Sequence, residues 1–148
     1  MASKRTGNDS RWCTPADPPL LWIDITDTSH QAVEEYEEWL ASLAPFERAH
    51  QQGRIDSLLG AASKGELFDS DDHSSKITPV RRDPDIYELR YKALTKRLRF
   101  YHGEPPHAPN LLYRLHRHIK KDKTDQDAQI DHAQRVYAPV SGRKGPTS

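Results

Sequence analysis

Arg97, Arg99 and Tyr101 recur at every second position, as do Glu88 and Arg90 shortly before them. In an extended chain alternate side chains share a face, so each set projects together, with Leu98 and Phe100 taking the opposite, core side. A row of guanidinium groups on a rigid strand suits phosphate oxygens, because each group can donate two parallel hydrogen bonds. A merely solvated strand face would accept Lys as readily, so the choice of Arg favours an anion-binding role. Lys120-Lys121-x-Lys123 follows closely and would extend such a surface.

Histidines gather in the same region. His102, His107, His116 and His118 are four of the eight in the chain. His116-x-His118 places two imidazoles on one face of a regular strand. Imidazole suits proton transfer near neutral pH. A metal site would need a third ligand, and none is marked, so no metal is expected. His107, beside a Pro-rich loop, reads as a surface residue. Tyr87, Tyr91 and Tyr101 could stack on bases, but Tyr87 and Tyr91 share parity with Leu89 and read as core. Trp22 and Trp39 read as core, and Trp12 falls in a polar tail.

Several elements must position these groups. Leu20-Leu21-Trp22-Ile23-Asp24-Ile25 is a short apolar run after Pro18-Pro19 and predicts a strand. Thr28 and Gln31 fit a capping box, and Val33, Tyr36, Leu40 and Leu43 make one apolar helical face. Pro45 opens a second helix, with Ile55, Leu58, Leu59 and Ala62 as its stripe and Gly65 as its stop. Residues 66–80 read as a polar connection, and Asp69 to Ser75 lacks the Gly and distal Glu of an EF-hand. From Ile86 the period becomes two, giving strands that turn at Leu94-Thr95. After a Gly- and Pro-containing loop, Leu111 to His116 makes a third strand. Thr124 then caps a last helix, with Asp127 in its first turn, Ile130, Ala133 and Tyr137 as its stripe, and Pro139 at its end. The expected class is α+β: an N-terminal strand and helical hairpin packed on an antiparallel sheet, with a C-terminal helix.

Composition sets the outer limits. Hydrophobic residues make up 34% and charged residues 30% of the 148, so part of the chain is expected to lie outside the core. The expected division is a disordered tail over 1–19, a domain over 20–138 and a frayed tail over 139–148. Residues 1–80 carry 7 Lys and Arg against 14 Asp and Glu, a net of −7. Residues 81–123 carry 12 against 5, a net of +7. That asymmetry fits either a polyanion partner for the basic part or mutual neutralisation across the fold. No stretch is apolar enough to span a membrane, and the N-terminus lacks the apolar core of a secretory signal. Cys13 is the sole cysteine, so neither an internal disulfide nor a cysteine-based zinc site can form. These features favour the cytoplasm.

Three motifs in order carry a family resemblance: Ile86-Tyr87-Glu88-Leu89-Arg90, then Leu98-Arg99-Phe100-Tyr101, then Leu115-His116-Arg117-His118-Ile119-Lys120-Lys121, followed by Ala133-Gln134-Arg135. Together they resemble the phage-derived, HigB-like branch of the RelE/ParE toxin superfamily. His118 stands where that branch has an aromatic residue, and Arg117 where it has Gly. The resemblance implies a RelE-like fold and a type II toxin that cuts messenger RNA on the ribosome without a cofactor. It also implies a partner antitoxin of helix-turn-helix type. Cleavage would proceed by attack of a ribose 2′-hydroxyl on the adjacent phosphate. Arg90 and Arg99 would then stabilise charge, and His116, Tyr101 or His102 would move protons. Lys96, Arg97, Lys120, Lys121 and Lys123 would hold the RNA backbone. A non-enzymatic protein of the same fold is the alternative: a gyrase-type inhibitor, a decayed toxin or a nucleic-acid-binding regulator.

Overall fold

A computed structural model describes residues 6–69, 76–80 and 82–143. The chain is α+β, with three α-helices and a five-stranded sheet. In chain order the elements are β1 (Leu21–Asp24), α1 (Gln31–Ser42), α2 (Pro45–Ser63), β2 (Ile77–Pro79), β3 (Ile86–Ala93), β4 (Lys96–Gly103), β5 (Leu111–Ile119) and α3 (Lys123–Tyr137). The sheet order is β1-β5-β4-β3-β2. It is mixed rather than antiparallel throughout, because β1 joins β5 in parallel.

The predicted helical hairpin forms. Val33, Tyr36 and Leu40 of α1 and Ile55, Leu58 and Ala62 of α2 turn inward, and all but Val33 join one face of the sheet in the larger core. Pro45 starts α2, and Gly65 follows its end at φ +72°. The other face packs under α3, where Ile86, Tyr101, Leu115, Ala133 and Tyr137 make a second core. Helix starts differ from expectation: His30 caps α1 through a side-chain bond to the Ala32 amide, and Asp122, not Thr124, caps α3. His30 lies two residues beyond Thr28, and Asp122 two before Thr124, which falls inside α3, so each acceptor sits immediately ahead of the helix it caps. The acidic residue in the first turn of α3 is Asp125, not Asp127.

β3 and β4 pair in register across the Leu94-Thr95 turn. β5 follows β4 from Ile119 back to His116, and then the register shifts, since Tyr101 faces His116 while His102 faces Arg114. Leu115 is the extra residue of this bulge. Ahead of it, the alternation of β5 is inverted, which sends Leu112 into the larger core while Leu115 joins the smaller one.

Three expectations about order need correction. Residues 6–19 do not form a loose tail. Gly7–Asp9 and Arg11–Cys13 are short 3-10 turns, and Trp12 is fully buried in the larger core. The Arg11 guanidinium donates to the carbonyls of Pro105, Ala108 and Leu111 at 2.6, 3.0 and 2.8 Å. Within 66–80, the stretch Ile77–Pro79 adds an edge strand to β3; three residues are too short to show a period. Beyond α3, residues up to Arg143 are pinned, with that guanidinium 2.7 Å from Asp83 and 2.8 Å from Asp85. The acidic stretch 70–75 and the ends 1–5 and 144–148 lie outside the described residues.

Candidate functional site

Alternation and register together build a grid on the α3 side of the sheet. Lys92 lies opposite Arg97, and the Lys120 amide donates to the Arg97 carbonyl at 2.7 Å. The next row is Arg90, Arg99 and His118, and the third is Glu88, Tyr101 and His116. Arg90, Arg99, Tyr101 and His116, expected to converge, do share this face. Arg97 and Lys120 join them, and Lys92 was missed.

The rows are not equally open. α3 crosses the third row, where Gln126 donates to Glu88 at 2.8 Å and Gln129 meets His116 at 2.7 Å. Tyr101 and His116 are buried. At the other end, Lys92 and Arg97 are exposed and Lys120 is half-buried. Arg99, in the middle, is buried against Glu88 at 2.9 Å, while Arg90 keeps about a third of its side chain in solvent and approaches Glu88 at 3.9 Å.

Glu88 is the one carboxylate among these nine positions, against five cations. Burial holds its carboxyl above the usual range despite Arg90 and Arg99. Burial lowers Arg99, with Glu88 opposing. Lys120 is lowered by desolvation first and then by the crowding of Arg99, Arg90 and Arg97. Cations held together at a partly desolvated rim, in excess of their counter-charge, are poised for an anion such as phosphate.

The proton-transfer candidates are enclosed. The Tyr101 hydroxyl bonds His118 Nε2 at 3.0 Å, and His118 Nδ1 contacts the Ile119 carbonyl at 3.2 Å. This fixes a neutral His118 that accepts from the phenol and donates to the carbonyl. Burial pushes His118 down to about 4 and His116 down to about 3, and pushes the Tyr101 phenol far up. His102 sits on the opposite sheet face, as alternation with Phe100 requires. It stacks on Trp12 with ring centroids 3.4 Å apart and bonds Glu104 at 2.7 Å. Glu104 also receives the Ser10 hydroxyl and the Arg11 amide. His102 therefore joins the N-terminal segment to the core, which corrects its expected place in the site.

The outer lysines divide. Lys121 pairs with Glu35 of α1 at 3.0 Å, Lys123 is exposed at the start of α3, and Lys96 falls by parity on the opposite face from Arg97. Arg117 similarly meets Glu37 at 2.8 Å. Part of the charge asymmetry is thus neutralised across the fold. Among the described residues, no carboxylate forms an ion pair with Lys92, Arg97 or Lys120.

Sequence order hid two further histidines. His30, ahead of α1, and His132, on α3, come to stand beside His116. No spacing rule could reveal them, because three separate elements bring them together. Comparison with known proteins adds no relative: no family model, curated protein or solved structure matches this chain.

Proposed function

We propose that the chain is a RelE-like toxin of the HigB-like branch, part of a type II toxin–antitoxin pair, which cuts messenger RNA on the ribosome in the cytoplasm. The observation that carries this is the open cationic rim of Lys92, Arg97 and Lys120, backed by Arg90 and Arg99. The ordered motifs of β3, β4 and β5 support it, as does an α+β architecture. The RNA backbone would lie along the rim. Arg97 and Arg90 would neutralise the charge that develops on phosphorus as the 2′-hydroxyl attacks, with Arg99 behind them. A base removes the 2′-proton and an acid protonates the departing 5′-oxygen, leaving a cyclic phosphate and a 5′-hydroxyl. With Tyr101, His102 and His116 enclosed, Lys120 is the rim group best placed to move a proton, since desolvation first and the nearby arginines next lower its pKa. A helix-turn-helix antitoxin is the partner this reading requires.

The burial of those three groups favours a second reading, a non-enzymatic binder of the same fold that blocks a protein target or RNA. Induction of wild type, Arg97→Ala and Lys120→Ala in a bacterial host, with mapping of transcript 5′ ends, separates the two. Cutting predicts new ends within codons for wild type and a loss of about 100-fold or more in each variant. Growth arrest with intact transcripts transfers the case to the binder. Harmless wild-type protein in every host sinks both.

A further inference from the structure

Outside the cationic rim, three imidazoles from three elements crowd together. The ring centroids of His30 and His132 are 4.0 Å apart, those of His116 and His132 4.6 Å, and those of His30 and His116 4.9 Å. One nitrogen from each ring lies within 4.8 Å of the others. Two of these rings are more than nine-tenths buried, and among the described residues His116 Nδ1 and His132 Nε2 have no hydrogen-bond partner. Unpartnered ring nitrogens in a protein interior are costly, and a shared ion, a shared proton or a bridging water would satisfy them.

We propose that His30, His116 and His132 bind a divalent transition-metal ion of the zinc class, with a fourth position open to solvent. The tautomer of His116 suits this. Gln129 Oε1 accepts from its Nε2–H at 2.7 Å, and Gln129 donates in turn to Asp125 at 3.1 Å. That chain leaves the lone pair on the unpartnered Nδ1 and is the outer-shell arrangement that orients metal-binding histidines. Of the three histidines, His30 also lines a cleft of about 250 Å³, with Glu35, Lys121, Asp125 and Gln129, through which solvent would reach a fourth position.

His30 is the adjustable ligand. Its Nδ1 accepts the Ala32 amide at 3.1 Å, which places the proton on Nε2. A tetrahedral ion holds its nitrogens about 3.3 Å apart, so the rings must draw closer, and ligation through Nδ1 would give up the cap. Ala32 is only half-buried, and water can take its amide. Ligation by the neighbouring β5 and α3 histidines would then pin the start of α1 to both.

Titration of tag-free, chelator-stripped full chain with Zn²⁺ by calorimetry, and with Co²⁺ by visible absorption, tests this without any RNA. The expected result is one ion per chain with tetrahedral Co²⁺ bands. His30→Asn, which preserves a helix cap, and His132→Gln should each weaken binding by at least about tenfold, and Gln129→Leu by about tenfold to a hundredfold. Absence of one-to-one binding, or equal affinity in wild type and His30→Asn, overturns the site. Because His30 is partly exposed, that variant keeps the test decisive if His132→Gln fails to fold. Metal binding is read separately from RNA cutting, so either proposal can fail alone.

Discussion

At the scale of single residues, His116 and His118 make stability depend on pH in one direction. Both stay neutral in the fold, with values pushed down to about 3 and about 4, while in the unfolded chain they protonate near 6.5. Below about pH 6.5 the unfolded state therefore binds more protons, and stability falls until the folded values are reached. Above pH 7 these two groups contribute no slope. Each costs up to about 1.4 kcal/mol per pH unit in the sensitive window. Urea unfolding in chelator is expected to show a loss of about 4 kcal/mol between pH 7.5 and pH 5, reduced by about half in His116→Gln. A flat profile over that range would contradict the enclosed, neutral histidines.

At the scale of elements, α3 sets what the sheet can offer, and Gly103 sets where α3 lies. A Cβ on Gly103 would come within 2.5 Å of the Tyr137 ring, and the Tyr137 hydroxyl donates to Asp85 at 2.6 Å. Gly103→Ala is expected to cost about 1–3 kcal/mol, read as a lower urea midpoint, together with faster amide exchange in α3 than in α1. The alternation of β3 and β4 was legible because a two-residue turn keeps Glu88, Arg90, Arg97, Arg99 and Tyr101 in phase. β5 was legible only in part: the extra Leu115 inverts parity midway, and pattern alone cannot count a bulge. The strand beginning at Leu21 was visible as an apolar run, but its parallel pairing to β5 is a tertiary choice. The shielding of His116 by Gln129 was equally hidden, since a polar residue on a helix carries no sign of which neighbour it will meet.

At the scale of the whole molecule, the acidic first half and basic second half meet through Glu35–Lys121, Glu37–Arg117 and the longer contacts of Asp24 with Arg114 and Arg117. Among the described residues no helix is long and apolar enough to cross a membrane. The N-terminal segment escaped notice in the sequence because one aromatic among polar residues has no period, yet Trp12 fills the space between His102 and Trp22. Trp12→Ala is expected to destabilise by about 3–5 kcal/mol, measured by urea unfolding at pH 7.5. A loss under about 1 kcal/mol would mean that this segment only rests on the core.

The anchoring of Arg11 to the carbonyls of Pro105, Ala108 and Leu111 also dictates a timetable for synthesis. Arg11 is held by carbonyls 94 to 100 positions later, so a nascent chain halted before Pro105 lacks all three of them. Closure of such distant contacts is slow, so the segment around Trp12 is expected to dock late in folding.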